Sequence, residues 1–184
     1  PGINWTAVHG VDGGYALVNN NTYSSSVDGG TIYHTVIRSP IFGDHGGPRT
    51  AESDYTAQGS FDFAYTLMPV DEDWTSVIRE GKLLNKPLTN IMETWHPGTL
   101  SAQPYAGISI DRNHVLLSAL KRSEDGYGTV LRVYETEGRE ADFTVSGPVL
   151  PSTLSAHITP WAVQTYFCED GTDQWKEVLL TEFE

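Results

Sequence analysis

Several residue groups in this 184-residue chain are of a type that does chemistry. Glu124-Asp125 and Asp71-Glu72-Asp73 are runs of adjacent acids, whereas a glycosidase needs two carboxyls held about 5–10 Å apart across one bond. Neighbouring acids in a Glu-Asp-Gly turn diverge toward solvent, so Glu124-Asp125-Gly126 reads as a structural turn. Asp71–Asp73 reads as a helix start, where negative charge meets the positive end of the helix dipole. The six histidines (His9, His34, His45, His96, His114 and His157) are scattered. They form no His-x-His or His-x-x-x-His spacing, and one cysteine allows no Cys-x-x-Cys, so the sequence predicts no metal ligand. His34 alternates with Ile32 and Val36 and reads as a hydrogen-bonded sheet histidine. His45 lies beside Asp44 in a Gly-rich loop and is retained as a contact candidate.

Nucleophilic chemistry has no better footing. No Gly-x-Ser-x-Gly elbow occurs, and Cys168 is followed by Glu169-Asp170 rather than by the basic groups that activate a thiol. Gly126-Tyr127-Gly128 lacks the third glycine and the helix of a dinucleotide phosphate site. Asn4-Trp5-Thr6 and Asn20-Asn21-Thr22 read as chance sequons. Trp95 and Tyr105 flank an irregular stretch and are expected to seal a junction between two β layers rather than stack on a sugar. No catalytic residue is expected in this chain.

The elements that position these residues are mostly strands. Ile32, His34 and Val36 alternate with Tyr33, Thr35 and Ile37, and Phe61, Phe63, Tyr65 and Leu67 fall on one face. Val130, Arg132 and Tyr134 alternate with Leu131 and Val133, and Phe143/Val145 and Val163/Thr165 repeat the period of two. Turn signals separate the runs: Asp28-Gly29-Gly30, Asp44-His45-Gly46-Gly47-Pro48, Glu124-Asp125-Gly126 and Glu137-Gly138. One helix is predicted from Asp73 to about Leu84, with Trp74, Val77, Ile78 and Gly81 at helical spacing and Asn85 and Pro87 ending it. Short strands without βα alternation imply an all-β sandwich.

Composition narrows the partners. Twenty-four acidic residues against 11 basic ones give a net charge of −13. Such a surface repels phosphate backbones and anionic lipid, so neither nucleic acid nor a membrane is expected as a partner. The excess runs through both halves, 10 against 5 in residues 1–92 and 14 against 6 in residues 93–184, so it is not an acidic tail. No apolar run approaches the ~18 residues of a membrane span. The start at Pro1-Gly2-Ile3-Asn4-Trp5, already inside a strand, reads as a piece of a longer protein.

Several patches, taken in order, resemble the C-terminal β region of the α-mannosidases of glycoside hydrolase family 38. They are Ala16-Leu17-Val18-Asn19-Asn20-Asn21-Thr22-Tyr23, Val36-Ile37-Arg38-Ser39-Pro40, and Gln58-Gly59 with Phe61, Phe63-Ala64-Tyr65-Thr66-Leu67 and Pro69. Leu83-Leu84-Asn85-Lys86-Pro87-Leu88, Leu117–Gly126, Leu131-Arg132-Val133-Tyr134-Glu135, Pro160–Thr165 and Leu179–Phe183 continue the order. Ala57 and Ser24 depart from the family pattern, which usually has Asp and Gly there.

The resemblance implies an antiparallel β-sandwich that is part of a larger supersandwich, plus a second small β-sandwich layer and one short helix. It implies residues 1–100 as the C-terminal part of a galactose-mutarotase-like sandwich, with the helix near 73–85, and residues 101–184 as a small C-terminal sandwich. The expected function is that of a non-catalytic C-terminal β domain of a retaining α-mannosidase, inactive alone. It would scaffold an N-terminal catalytic domain of the same polypeptide that holds zinc and an aspartate nucleophile, so no cofactor is expected in this chain. α-Mannoside glycans are the expected ligands, with Tyr23, Arg38, Asp44 and His45 as candidates for the rim of the sugar site. A cytoplasmic location is expected. The alternatives are a free-standing carbohydrate-binding β-sandwich module and a plain structural interaction domain.

Overall fold

In the computed structural model the described residues are 3–20, 22–41, 50, 54–71, 74–99 and 105–181. They form strands in antiparallel sheets and a single helix, in two compact units, Pro1–Ile91 and Met92–Glu184.

In the first unit β1 (Trp5–Gly10), β2 (Gly13–Asn19) and β5 (Tyr65–Val70) make a sheet in the order β1-β2-β5. β3 (Ser24–Asp28) and β4 (Thr31–Thr35) form a separate hairpin across Gly29-Gly30, both at positive φ. The helix α1 (Thr75–Asn85) lies over one face of the three-stranded sheet. Ala16, Val18, Val70 and Val77 form the buried cluster there, with Trp5, Met68, Trp74 and Leu84 around it. Trp5 and Trp74 stack at 5.9 Å. Gly81 is buried because the helix approaches Asn4 closely: an added Cβ would lie 3.4 Å from the Asn4 Cβ.

Three expectations for this unit need correction. The helix begins at Thr75, and its first turn carries no acidic residue. Asp71 precedes it, and Glu72 and Asp73 lie outside the described residues. Its end agrees with the proline rule: Lys86, just before Pro87, leaves helical geometry at φ −136°, ψ 74°. Phe61 and Phe63 are not in a strand, because β2 ends at Asn19. Beyond the Asn20 N–H to Ala64 C=O bond no ladder partner remains among the described residues. Likewise β4 stops at Thr35, opposite the first residue of β3, so Val36 and Ile37 are exposed coil.

The second unit is a two-sheet sandwich. β6 (Ser109–Ile110), β9 (Ala141–Ser146) and β10 (Leu154–Ile158) pair in the order β10-β9-β6. β7 (Val115–Arg122), β8 (Gly128–Glu135), β11 (Val163–Glu169) and β12 (Trp175–Val178) pair as β12-β11-β8-β7. Val115, Leu131, Val133 and Tyr166 of the larger sheet meet Phe143, Val145, Leu154 and Ile158 of the smaller one. Phe143 and Tyr166 touch edge to face at 6.4 Å. Burial pushes the Tyr166 hydroxyl up to about 12, with Glu177 adding to the shift, and the neutral group donates to Gln164 at 3.0 Å.

Trp95 and Tyr105, expected to be covered, are 93% and 66% exposed. Among the described residues the stretch around Trp95 has neither a ladder nor an apolar cluster to bury the ring. No described helix is long and apolar enough to cross a membrane.

Candidate functional site

Tyr23 and Arg38 occupy the two chains at the open end of the β3–β4 hairpin, where Ser24 pairs with Thr35. His34 fixes this end. Its Nε2 lies 2.6 Å from Thr22 Oγ1 and its Nδ1 lies 2.8 Å from Ser25 Oγ. Thr22 donates its own hydroxyl proton to Asn19 Oδ1 at 3.0 Å. Thr22 must then accept from His34, so Nε2 carries the proton and Nδ1 accepts from Ser25. The expected sheet histidine is thus satisfied on both nitrogens and pins the residues around Tyr23, whose ring is 59% exposed.

Arg38 is exposed and makes no ion pair or hydrogen bond among the described residues. Its chain is tethered just downstream. Ser39 Oγ donates to the Thr56 carbonyl, and the Pro40 carbonyl accepts from Thr56 N–H at 2.9 Å and Thr56 Oγ1 at 3.1 Å. Ile41 bridges Tyr55. The base of the loop is therefore clamped with Arg38 beside it, while Asp44 and His45 lie outside the described residues.

The adjacent acids are occupied as turn formers. Asp125 Oδ1 accepts from Ser123 Oγ at 2.6 Å and from Tyr127 N–H at 3.0 Å, which holds its carboxyl below the usual range. Glu124 pairs with Lys121. Arg122 forks onto both oxygens of Asp170 at 2.7 and 2.5 Å, tying the β7–β8 turn to the end of β11. Among the described residues no three His, Cys, Asp or Glu side chains converge as metal ligands, so these residues do not fit a zinc site.

Two features escaped the sequence reading. Glu135, at the end of β8, is only 3% exposed. Its Oε1 accepts from Glu137 N–H at 2.6 Å, and its Oε2 accepts from Gly138 N–H and Trp161 N–H, both at 2.8 Å. Burial alone would raise its pKa, but the N–H groups of Trp161, Glu137, Gly138 and Arg139 outweigh it and hold the carboxyl low. Trp161, whose N–H makes one of these bonds, has φ +59°, an uncommon conformation for a bulky residue. A sequence signal existed: Glu135 continues the inward parity of Leu131 and Val133, a charged residue in a core position.

The second feature is a groove of about 430 Å³ at the β11–β12 turn, lined by Phe167, Glu169, Thr172, Asp173, Gln174 and Lys176. Phe167 packs so closely on β8 that a Cβ at Gly128 would lie 2.2 Å from its ring. Turn residues of mixed charge leave no periodic trace, so nothing in the sequence marked the groove.

Comparison with known proteins agrees with this architecture. Residues 114–154 match the family model for the glycosyl hydrolases family 38 C-terminal beta sandwich domain, a stretch running from the residue before β7 into β10. The chain is 32% identical over 155 residues to alpha-mannosidase G of Dictyostelium discoideum and 30% identical over 157 residues to alpha-mannosidase 2C1 of Mus musculus. Alpha-mannosidase 2C1 of Homo sapiens is 29% identical over 134 residues. The first two matches cover 82% of this chain but 13% and 14% of those relatives, so the chain spans a small part of their length. No solved structure matches it. The ordered motifs, the sandwich of the second unit and these matches agree: residues 114–154 match the family 38 C-terminal beta sandwich domain, and the chain is similar over most of its length to alpha-mannosidases.

Proposed function

We propose that the chain is a non-catalytic β portion of an α-mannosidase-like glycoside hydrolase, scaffolding a catalytic domain that lies outside it. The carrying observation is the number of bare apolar side chains in the first unit. Tyr33, Val36, Ile37, Phe61, Tyr65 and Leu67 are all exposed in a unit that has its own buried cluster. Single exposed apolar side chains are ordinary, but this many in one small unit suit a chain whose partner covers part of them. The relatives' greater length is consistent with a covering domain in the same polypeptide. Zinc and the nucleophile would belong to that domain, with Tyr23 and Arg38 at the rim of its sugar site. A guanidinium there can fork onto paired hydroxyls or a carboxylate.

The test is reconstitution. The chain alone should not hydrolyse an aryl α-mannoside with zinc present. Mixed with an α-mannosidase N-terminal portion that lacks its own C-terminal β region, it should restore hydrolysis. Turnover by the chain alone would sink the proposal, as would failure to bind or activate that portion.

A second reading, a free-standing carbohydrate-binding module, has the β11–β12 groove in its favour. An aromatic ring beside carboxylates, an amide and an ammonium group is a set of partners that suits a neutral polyol. Calorimetric titration with mannose oligosaccharides distinguishes the two, because a module should bind without any catalytic partner.

A further inference from the structure

We infer that β5 is an acceptor edge, completed by an extended strand from the part of the longer polypeptide outside this chain. Among the described residues β5 is a terminal strand, in the order β1-β2-β5. Asn20 N–H donates to the Ala64 carbonyl at 3.2 Å, which identifies 20/64 as a hydrogen-bonded pair. Antiparallel pairs alternate, so Thr66, Met68 and Val70 bond β2 while Tyr65, Leu67 and Pro69 turn their backbone groups outward. Pro69 stands where a missing N–H takes nothing from the β2 ladder. The outward edge therefore offers donors at Tyr65 and Leu67 and acceptors at Tyr65, Leu67 and Pro69.

Edges meant to stay free are usually guarded by charge. β5, Tyr-Thr-Leu-Met-Pro-Val, has no charged side chain; among the other terminal strands β7 and β12 carry Lys121 with Arg122 and Lys176 with Glu177, while β1, β6 and β10 carry no Asp, Glu, Lys or Arg. The side chains agree with the backbone. Thr66, Met68 and Val70 turn toward α1 or are partly covered, while Tyr65 and Leu67 on the other face are 70% and 65% exposed. The opposite edge differs: Trp5 of β1 is half-buried against Trp74.

The occupant is a strand that presents backbone carbonyls to the Tyr65 and Leu67 N–H groups and apolar side chains on the Tyr65/Leu67 face. A second copy of this chain is the weaker occupant, because each copy carries a net charge of −13 and like charge opposes association. The length of the relatives outside the matched region provides the chain for such a strand. Resting on the reading of the chain as part of a longer α-mannosidase-like polypeptide, this inference names the surface through which the two parts join.

Amide hydrogen exchange tests it residue by residue. In the chain alone, Tyr65 and Leu67 amides should exchange fast while Thr66 and Met68 are protected. In the complex with the N-terminal portion, Tyr65 and Leu67 should slow at least ~100-fold. Restored hydrolysis with unchanged exchange at Tyr65 and Leu67 would overturn the edge inference and leave the scaffold reading intact; no complex at all would remove the scaffold reading instead. Concentration-dependent protection in the chain alone, with a dimer in sedimentation, would overturn the assigned occupant. Leu67→Lys, on the solvent face, should leave unfolding of the isolated chain unchanged and weaken complex formation at least ~10-fold, whereas equal binding counts against the edge.

Discussion

Removing the Glu135 carboxylate should destabilise the second unit more than any surface substitution on it. Glu135→Ala strands three backbone donors, those of Glu137, Gly138 and Trp161, now held at 2.6–2.8 Å. A buried unsatisfied donor costs about 1–3 kcal/mol. Glu137 and Gly138 are half-buried and Trp161 is exposed, so water replaces part of the loss. The expected net is about 3–5 kcal/mol, a large share of the roughly 5–15 kcal/mol that holds a typical domain. Glu135→Gln keeps the shape and one carbonyl oxygen but turns an NH2 toward a donor, so about 1–3 kcal/mol is expected. Cys168 provides the readout. It is the only cysteine, it is fully buried, and it lies in β11 of the same unit. Thiol labelling at pH 7 should therefore quicken by about 100- to 1,000-fold in Glu135→Ala, at 1.4 kcal/mol per decade and less any local opening.

The pH dependence has a definite sign. The folded carboxyl titrates below its unfolded value, so its stabilisation is full above about pH 4.3 and is lost as pH falls through the lower folded value. The urea midpoint of the wild type should fall more steeply between pH 5 and 3 than that of Glu135→Gln. Equal midpoints at pH 7 and parallel acid slopes would refute the assignment of Glu135 as the anchor of this turn.

Other outcomes follow from the same contacts. Gly138→Ala places a Cβ 2.7 Å from the Trp161 indole at a φ of +72°, so thermal unfolding should show a loss of at least about 1–2 kcal/mol. Thr22→Val removes the hydroxyl that links His34 to Asn19, and urea unfolding should report a loss of about 1–3 kcal/mol from the first unit. In the reconstituted enzyme, Arg38→Ala should lower kcat/KM for an aryl α-mannoside while leaving the melting temperature of the chain almost unchanged. Equal activity per folded molecule would reduce Arg38 to a loop residue.

Strand and helix identity was largely legible in the sequence, since period-two alternation is a local property. Val130 to Tyr134, Phe143/Val145 and Val163/Thr165 all lie in strands as read. Strand ends were less legible. Phe61 and Phe63 carry the same alternation as Tyr65 and Leu67, yet among the described residues they have no ladder, because β2 stops at Asn19. A strand exists only where a partner does, and partners are distant in sequence. Acids in runs were readable as turn residues, and Asp125 behaves so.

The lone inward acid was written in the parity of β8 but not in its meaning. Only the tertiary structure brings Trp161 N–H, 26 residues away, onto the Glu135 carboxylate and makes a buried charge tolerable. The same holds at the hairpin: alternation indicated that His34 sits in a sheet, and only folding showed that it locks Thr22 and Ser25 around Tyr23. The ordered motifs pointed to the same family that the comparisons match, because residue types survive without coordinates. Which backbone groups of β5 remain open depended on the pairing register, which the hydrogen-bond ladder alone decides.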